Sequence, residues 1–320
     1  LRARGHAPRR AAHHGTQEVA TMNRRELLLT STALGLGPLI AVGPVIAAGA
    51  SPEGTPPAPL PVPPTGSIPV AFLLSQGAVV IDFAGPWEVF ESVSVVGRRD
   101  AAFNLYTVAE TTQALQASGG MTIVPQYTFK DAPAPKVVVI PAQMGAGDAA
   151  LEWIRQVSRK TDVTMSVCTG AVVLARTGLL DGKSATTHHS SYADFAMQFP
   201  KVSLVRGARF VEAGNVASSG GLSSGIDLSL RVVERYFGRD VAQQTAYYLE
   251  YQGQGWTDPN SNQVYRTRRA STAAHQLCPV CDMEVDPASA PRSVYQGATY
   301  YFCMESHKTL FDKSPQTFID

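Results

Sequence analysis

Strand-length apolar runs alternate with helix-period stretches through the middle of this chain, and that alternation confines it to an α/β sheet. Residues 68–74 form a short, nearly unbroken apolar run, and 136–140 is strongly β-branched. Runs of that kind mark parallel strands buried on both faces. Residues 103–109, 121–124 and 163–167 read as further strands. Between them, Gly85-Pro86-Trp87 opens a helix with Pro86 suited to its first turn. Residues 149–159 carry Leu151, Ile154 and Val157 at three-residue spacing, and 170–176, 190–198, 222–237 and 240–251 also read as helices. The expected product is a mostly parallel sheet with helices on both faces. The chain has 44% hydrophobic and 17% charged residues, which excludes general disorder.

Charge and composition divide the rest. Residues 1–50 hold six arginines and two glutamates, or +4, so the remainder carries −3 of a net +1. A mildly acidic body argues against a nucleic-acid partner. Within the first 50 residues, Met22-Asn23-Arg24-Arg25 precedes an apolar run that ends Ala48-Gly49-Ala50. Charged start, apolar centre and small-residue end make an export signal. The paired arginines followed by Leu27-Leu28 resemble a twin-arginine signal, which implies contact with export machinery and a periplasmic or secreted product. A retained membrane anchor is the alternative. Residues 1–21 precede a plausible start and carry no folding signal. Residues 51–67 contain seven prolines, a stiff spacer with a reach of roughly 50 Å at about 3.1 Å per residue. Residues 68–252 are the α/β domain, 253–275 a polar linker, and 276–320 a small α+β unit.

Cys168 closes a strand one residue before a helix, where sites of parallel sheets gather. Helix dipole and free amides there favour thiolate, which predicts a depressed thiol pKa. A buried structural cysteine is the plain alternative. Asp82 stands just ahead of Ala84-Gly85-Pro86, where it could equally cap a helix. His188 could line a pocket or serve only as a structural donor.

Four segments together carry a resemblance: Ile81-Asp82-Phe83-Ala84-Gly85-Pro86-Trp87, Ser166-Val167-Cys168-Thr169-Gly170-Ala171, Ala185-Thr186-Thr187-His188, and Gly220-Gly221-Leu222-Ser223-Ser224-Gly225-Ile226-Asp227. Residues 68–252 resemble the ThiJ/PfpI superfamily, in the branch that contains isonitrile hydratase and the ligand-binding halves of some transcription regulators. No helix-turn-helix pattern follows. The resemblance implies a flavodoxin-like fold, a homodimer, a small-molecule substrate and no cofactor in the α/β domain. It makes Cys168 the nucleophile, Asp82 the acid/base carboxyl and Thr169 the accompanying hydroxyl; His188, Gln143 and Gly221 are candidate pocket residues by their own positions. Protease-like relatives carry histidine after the cysteine, where this chain has Thr169. The usual Pro-Gly-Gly is here Pro141-Ala142-Gln143, which narrows the loop or offers a side-chain amide.

The other three cysteines crowd the C-terminus. Cys278 and Cys281 form a two-residue knuckle, and Cys303 and His307 share one helical face. Three thiolates and an imidazole are a tetrahedral set for a transition metal, zinc or copper. A Cys278–Cys281 disulfide with Cys303 buried is the alternative. Forty-five residues bury too little to fold unaided, so a cross-link of one kind is expected. The run from Cys278 through Tyr300-Tyr301-Phe302-Cys303 to Phe311 resembles a YHS domain, found in metal-handling proteins. Two functions compete: an exported cysteine hydratase or hydrolase with an attached metal module, and a non-catalytic metal-binding or stress-response protein. Arg24→Lys with Arg25→Lys should abolish appearance of the cleaved protein outside the cytoplasm, read by cell fractionation. Undiminished export of the double variant overturns the twin-arginine reading.

Overall fold

A computed structural model describes residues 58–267 and 269–319; the signal-like segment lies outside them. The core is a seven-stranded sheet: β1 (Ile68–Leu73), β2 (Phe103–Ala109), β3 (Tyr127–Thr128), β4 (Val137–Ile140), β5 (Val163–Val167), β6 (Phe210–Ala213) and β7 (Val216–Ser219). Its order is β6-β7-β5-β4-β1-β2-β3. All neighbours are parallel except β6 and β7, which form an antiparallel edge pair. The mostly parallel, flavodoxin-like arrangement expected from the sequence is present.

Side-chain alternation within β1 and β4 explains why helices cover both faces. Val70, Phe72, Val137 and Val139 face one layer, built with α1 (Val80–Glu91), α5 (Ser224–Phe237) and α6 (Arg239–Tyr248). Ala71, Leu73, Val138 and Ile140 face the other, built with α2 (Asp148–Val157), α3 (Gly170–Arg176) and α4 (Tyr192–Gln198). A strand buried on both sides leaves no polar face to show, hence the unbroken apolar runs.

The expected strand at 121–124 shrinks to Thr122–Ile123, paired with Leu115–Gln116 outside the main sheet, and three further places differ from expectation. Helix α1 starts at Val80, not at Gly85, so Pro86 is interior. Its early start is supported by loops: the Val79 amide reaches the Ala142 carbonyl at 2.8 Å, and the Val80 amide reaches Ser118 Oγ at 3.0 Å. Pro86 offers no N–H to the carbonyl of Asp82 four residues back. The β6–β7 hairpin carries no strong run of its own. Segment 190–198 divides into a short 3-10 turn, His189–Ser191, followed by α4.

The flanking segments lie against the domain. Within the proline-rich stretch, the Leu60 amide donates to the Arg235 carbonyl at 2.7 Å and Arg98 reaches the Pro63 carbonyl at 3.2 Å. Of the polar segment after α6, Trp256 and Asn262 are buried. Further on, β8 (Arg292–Tyr295) and β9 (Ala298–Tyr301) form a hairpin, followed by α7 (Glu305–Lys313). This small unit does not own its core: Cys278, Val280, Cys281, Phe302, Phe311 and Phe318 cluster with Ala193 and Met197 of α4. Among the described residues no helix is long and apolar enough to cross a membrane.

Candidate active site and candidate metal centre

Strand β5 delivers Cys168 to the carboxyl edge of the sheet, and the chain turns there directly into α3. The turn is sharp: Cys168 has φ +58°, a left-handed conformation that non-glycine residues rarely adopt. Three neighbours hold it. The Cys168 amide donates to the Gly220 carbonyl at 3.0 Å, and Thr187 Oγ1 donates to the Cys168 carbonyl at 3.0 Å. Gly170 makes room, because a Cβ there would lie 2.2 Å from the Ile140 carbonyl oxygen. Cys168 itself is 8% exposed.

Asp82 approaches from α1 and is fully buried. Its Oδ2 accepts from the Ala142 amide at 3.0 Å, so the carboxyl ties α1 to the loop after β4. It does not cap the helix, whose N-cap is Val79. Oδ1 has no hydrogen-bond partner among the described residues. Burial raises the Asp82 pKa to about 6, against the opposing pull of the Ala142 amide and the Cys168 thiol. Cys168 moves the other way from the expected depression. Burial, then the Asp82 charge, push its thiol up to about 11. The amides of Thr169 and Leu222 and the Thr169 hydroxyl oppose this without overcoming it. A seven-residue helix and two amides are outweighed by desolvation and a neighbouring carboxylate. The resting pair at neutral pH is therefore a thiol beside a carboxylate, a proton donor beside its acceptor.

The other expected pocket residues divide. His188 abuts the loop after β7, where a Cβ on Gly221 would lie 2.1 Å from the ring. Gly221 is thus the clearance that admits His188. The ring's Nδ1 takes the Ser190 amide at 3.2 Å and pairs with Ser190 Oγ at 2.7 Å. Burial, with His189 adding to it, lowers the His188 pKa to about 4, so the ring is neutral at pH 7. Gln143 is engaged elsewhere: Ser75 Oγ donates to its Oε1 at 2.7 Å, and its Nε2 reaches the Leu73 carbonyl at 3.3 Å. It fastens the loop to the end of β1. The sequence reading assigned no role to Thr187, Gly220 or Leu222. All three stand in recognisable segments, but Gly220 and Leu222 act through backbone atoms, which leave no side-chain signature.

The C-terminal cluster is a second constellation. The ligand atoms of Cys278, Cys281, Cys303 and His307 all lie within 4.8 Å of one another. Cys281 Sγ and Cys303 Sγ are 3.5 Å apart, and His307 Nδ1 lies 3.6 Å from Cys278 Sγ and 3.2 Å from Cys303 Sγ. A tetrahedron with ~2.3 Å Zn–S and ~2.0 Å Zn–N bonds has edges of roughly 3.5–3.8 Å, so the donor set fits a transition metal. All four cysteines are free, and no Cys278–Cys281 disulfide forms.

The DJ-1/PfpI family pattern matches residues 69–235. Isonitrile hydratase of Pseudomonas putida is 31% identical over 190 residues, 58% of this chain and 79% of that enzyme. The chain belongs to the DJ-1/PfpI family. The chain is also similar to the HTH-type transcriptional regulator GbdR of Pseudomonas aeruginosa, 25% identical over 60% of this chain and 53% of the regulator. A THiJ/PfpI family protein from Pseudomonas syringae has the same fold, with TM-score 0.52 and 27% identity over 60% of this chain and 78% of that one. The family match ends at residue 235, so the Cys3His cluster lies outside the matched stretch.

A carboxyl whose folded pKa lies above its unfolded value favours the fold fully below about 4 and progressively less as pH rises through about 6. Asp82 ionised and buried therefore costs about 3 kcal/mol above that range. Asp82→Asn keeps an oxygen for the Ala142 amide and removes the charge. Its melting temperature should exceed that of the parent at pH 8 and match it at pH 4, read by thermal denaturation of the two proteins at both pH values. A variant equal to or below the parent at pH 8 contradicts the buried-carboxylate assignment.

Proposed function

We propose that this protein is an exported cysteine-dependent hydratase acting on isonitriles or related small electrophiles. The observation that carries this reading is a buried carboxylate set beside a buried thiol at the carboxyl edge of the sheet. Similarity to isonitrile hydratase supports the substrate class. In the proposed reaction Asp82 accepts the Cys168 proton as sulfur attacks the terminal carbon of R–NC. That proton passes to the same carbon, giving a thioimidate, R–N=CH–S–Cys168. Asp82, again a carboxylate, takes a proton from water as its oxygen adds to the carbon. The proton goes to nitrogen, the C–S bond breaks, and the sulfur recovers a hydrogen from the new hydroxyl. The products are R–NH–CHO and the original thiol. Thr169, whose hydroxyl and amide face the sulfur, steadies negative charge there.

The C-terminal unit is assigned in the same proposal as a YHS-like metal module. Cys278, Cys281, Cys303 and His307 would hold zinc or a similar cation with four protein ligands. A closed set of that kind supplies folding energy and no open coordination position. The twin-arginine reading of Arg24-Arg25 supports folding before export, with the thiols already protected from oxidation.

Two measurements test the parts separately. The full chain should convert a simple alkyl isonitrile to its formamide, and Cys168→Ser and Asp82→Asn should each lower kcat/KM by about 100-fold or more, followed by chromatography of the product. No formamide from the wild-type protein removes the hydratase assignment. Competition titration of the full chain should show one zinc bound, and Cys303→Ser should lose that stoichiometric binding. A variant that binds zinc as the parent does removes the four-ligand assignment.

A further inference from the structure

We propose that Asn262, beyond the residues matched by the family pattern, is a positioning residue for the Cys168 turn. The inference rests on the reading of Cys168 as the reactive group and adds a control on its geometry.

The turn at Cys168 depends on the loop Gly220–Ser224, because the Cys168 amide is held by the Gly220 carbonyl. That loop is in turn held by Arg209, the residue before β6. The Arg209 carbonyl accepts from the Gly220 amide at 2.9 Å, and Arg209 Nη2 donates to Ser223 Oγ at 3.1 Å. Arg209 Nε donates to Oδ2 of the fully buried Asp227 at 2.6 Å. One guanidinium thus grips the loop from α5 and from the loop itself.

Asn262 completes the grip. Its Oδ1 accepts from Arg209 Nη1 at 3.1 Å, and its Nδ2 lies 3.5 Å from Ser224 Oγ. It is 7% exposed and packs directly on the loop: a Cβ on Gly220 would lie 2.8 Å from Nδ2. The Arg209 amide donates to the Pro259 carbonyl at 2.6 Å, so the same segment holds the arginine's backbone. Three residues on, Tyr265 stacks on His189 with ring centroids 4.8 Å apart, and His189 stands 4.4 Å from His188. Residues 259–265 therefore touch both the loop at 220–224 and the histidine pair whose first member abuts that loop at Gly221. Without Asn262, Arg209 Nη1 and the Gly220 face lose their partner, and the loop can drift from the sulfur. The amide of Leu222, which eases ionisation of the thiol, moves with it.

The test is the pH profile of iodoacetamide alkylation of the full chain, read on the Cys168 peptide by mass spectrometry. Asp82 and His188 face the same region, and their inflections near 6 and 4 are separate from that of the thiol. Asn262→Ala should move the thiol inflection upward by about half a pH unit, a roughly threefold slower reaction at pH 8. Asn262→Asp keeps the acceptor for Arg209 and should restore most of the rate. Should Asn262→Ala fail to fold in a thermal melt, Asn262→Ser carries the test with a smaller shift of the same sign. A wild-type profile in folded Asn262→Ala or Asn262→Ser overturns the positioning role while leaving Cys168 reactive. A Cys168 that does not alkylate in the wild-type protein removes both this inference and the nucleophile reading beneath it.

Discussion

A carboxylate and a thiol share one dry corner of this protein, and the surrounding structure is what keeps them there. Asp82 is fully buried yet has one oxygen without a partner. Cys168 occupies a backbone conformation that side chains resist. Neither arrangement favours folding on its own, and such strain persists only where its surroundings over-determine it. Here the surroundings are a sheet buried on both faces, the Ala142 amide, the Gly220 carbonyl and the Thr187 hydroxyl. The arrangement is consistent with a site in which stability is given up locally for reactivity.

The substitution of Pro141-Ala142-Gln143 for a glycine-rich loop has a structural explanation. Its backbone, rather than its side chains, meets the carboxyl: the Ala142 carbonyl receives Val79 and the Ala142 amide reaches Asp82. Gln143 turns away to Ser75 and Leu73. The loop holds the Asp82 carboxyl by one oxygen and leaves the other without a partner among the described residues.

The sheet was legible in the sequence because its central strands are buried on both faces and must be apolar throughout. The cysteine at the strand end and the Cys3His set were legible because chemistry restricts their residue types and spacing. The start of helix α1 is not legible, because Pro86 looks like a first-turn residue and the acceptors for the Val79 and Val80 amides, the Ala142 carbonyl and Ser118 Oγ, come from far along the chain. The thiol's pKa was misjudged for a similar reason. A strand–helix junction is visible locally, whereas desolvation and a carboxylate from α1 are products of the tertiary fold. The segment around Asn262 looked like a linker because its polar residues bond to Arg209 and Gly207, which no local pattern reveals.

The shared core beneath the Cys3His unit bears on where this chain can be cut. Ala193 and Met197 belong to α4 of the family domain, yet they pack with Val280, Phe302, Phe311 and Phe318 from the C-terminal unit. A fragment ended at the family boundary would carry an uncovered apolar patch on α4. The complementary fragment would lack the floor on which its phenylalanines settle. During synthesis α4 emerges first and serves as a template, so the late-made unit condenses onto a finished surface. What looks modular in sequence is, at this seam, a shared core whose two halves are laid down in the order the ribosome makes them.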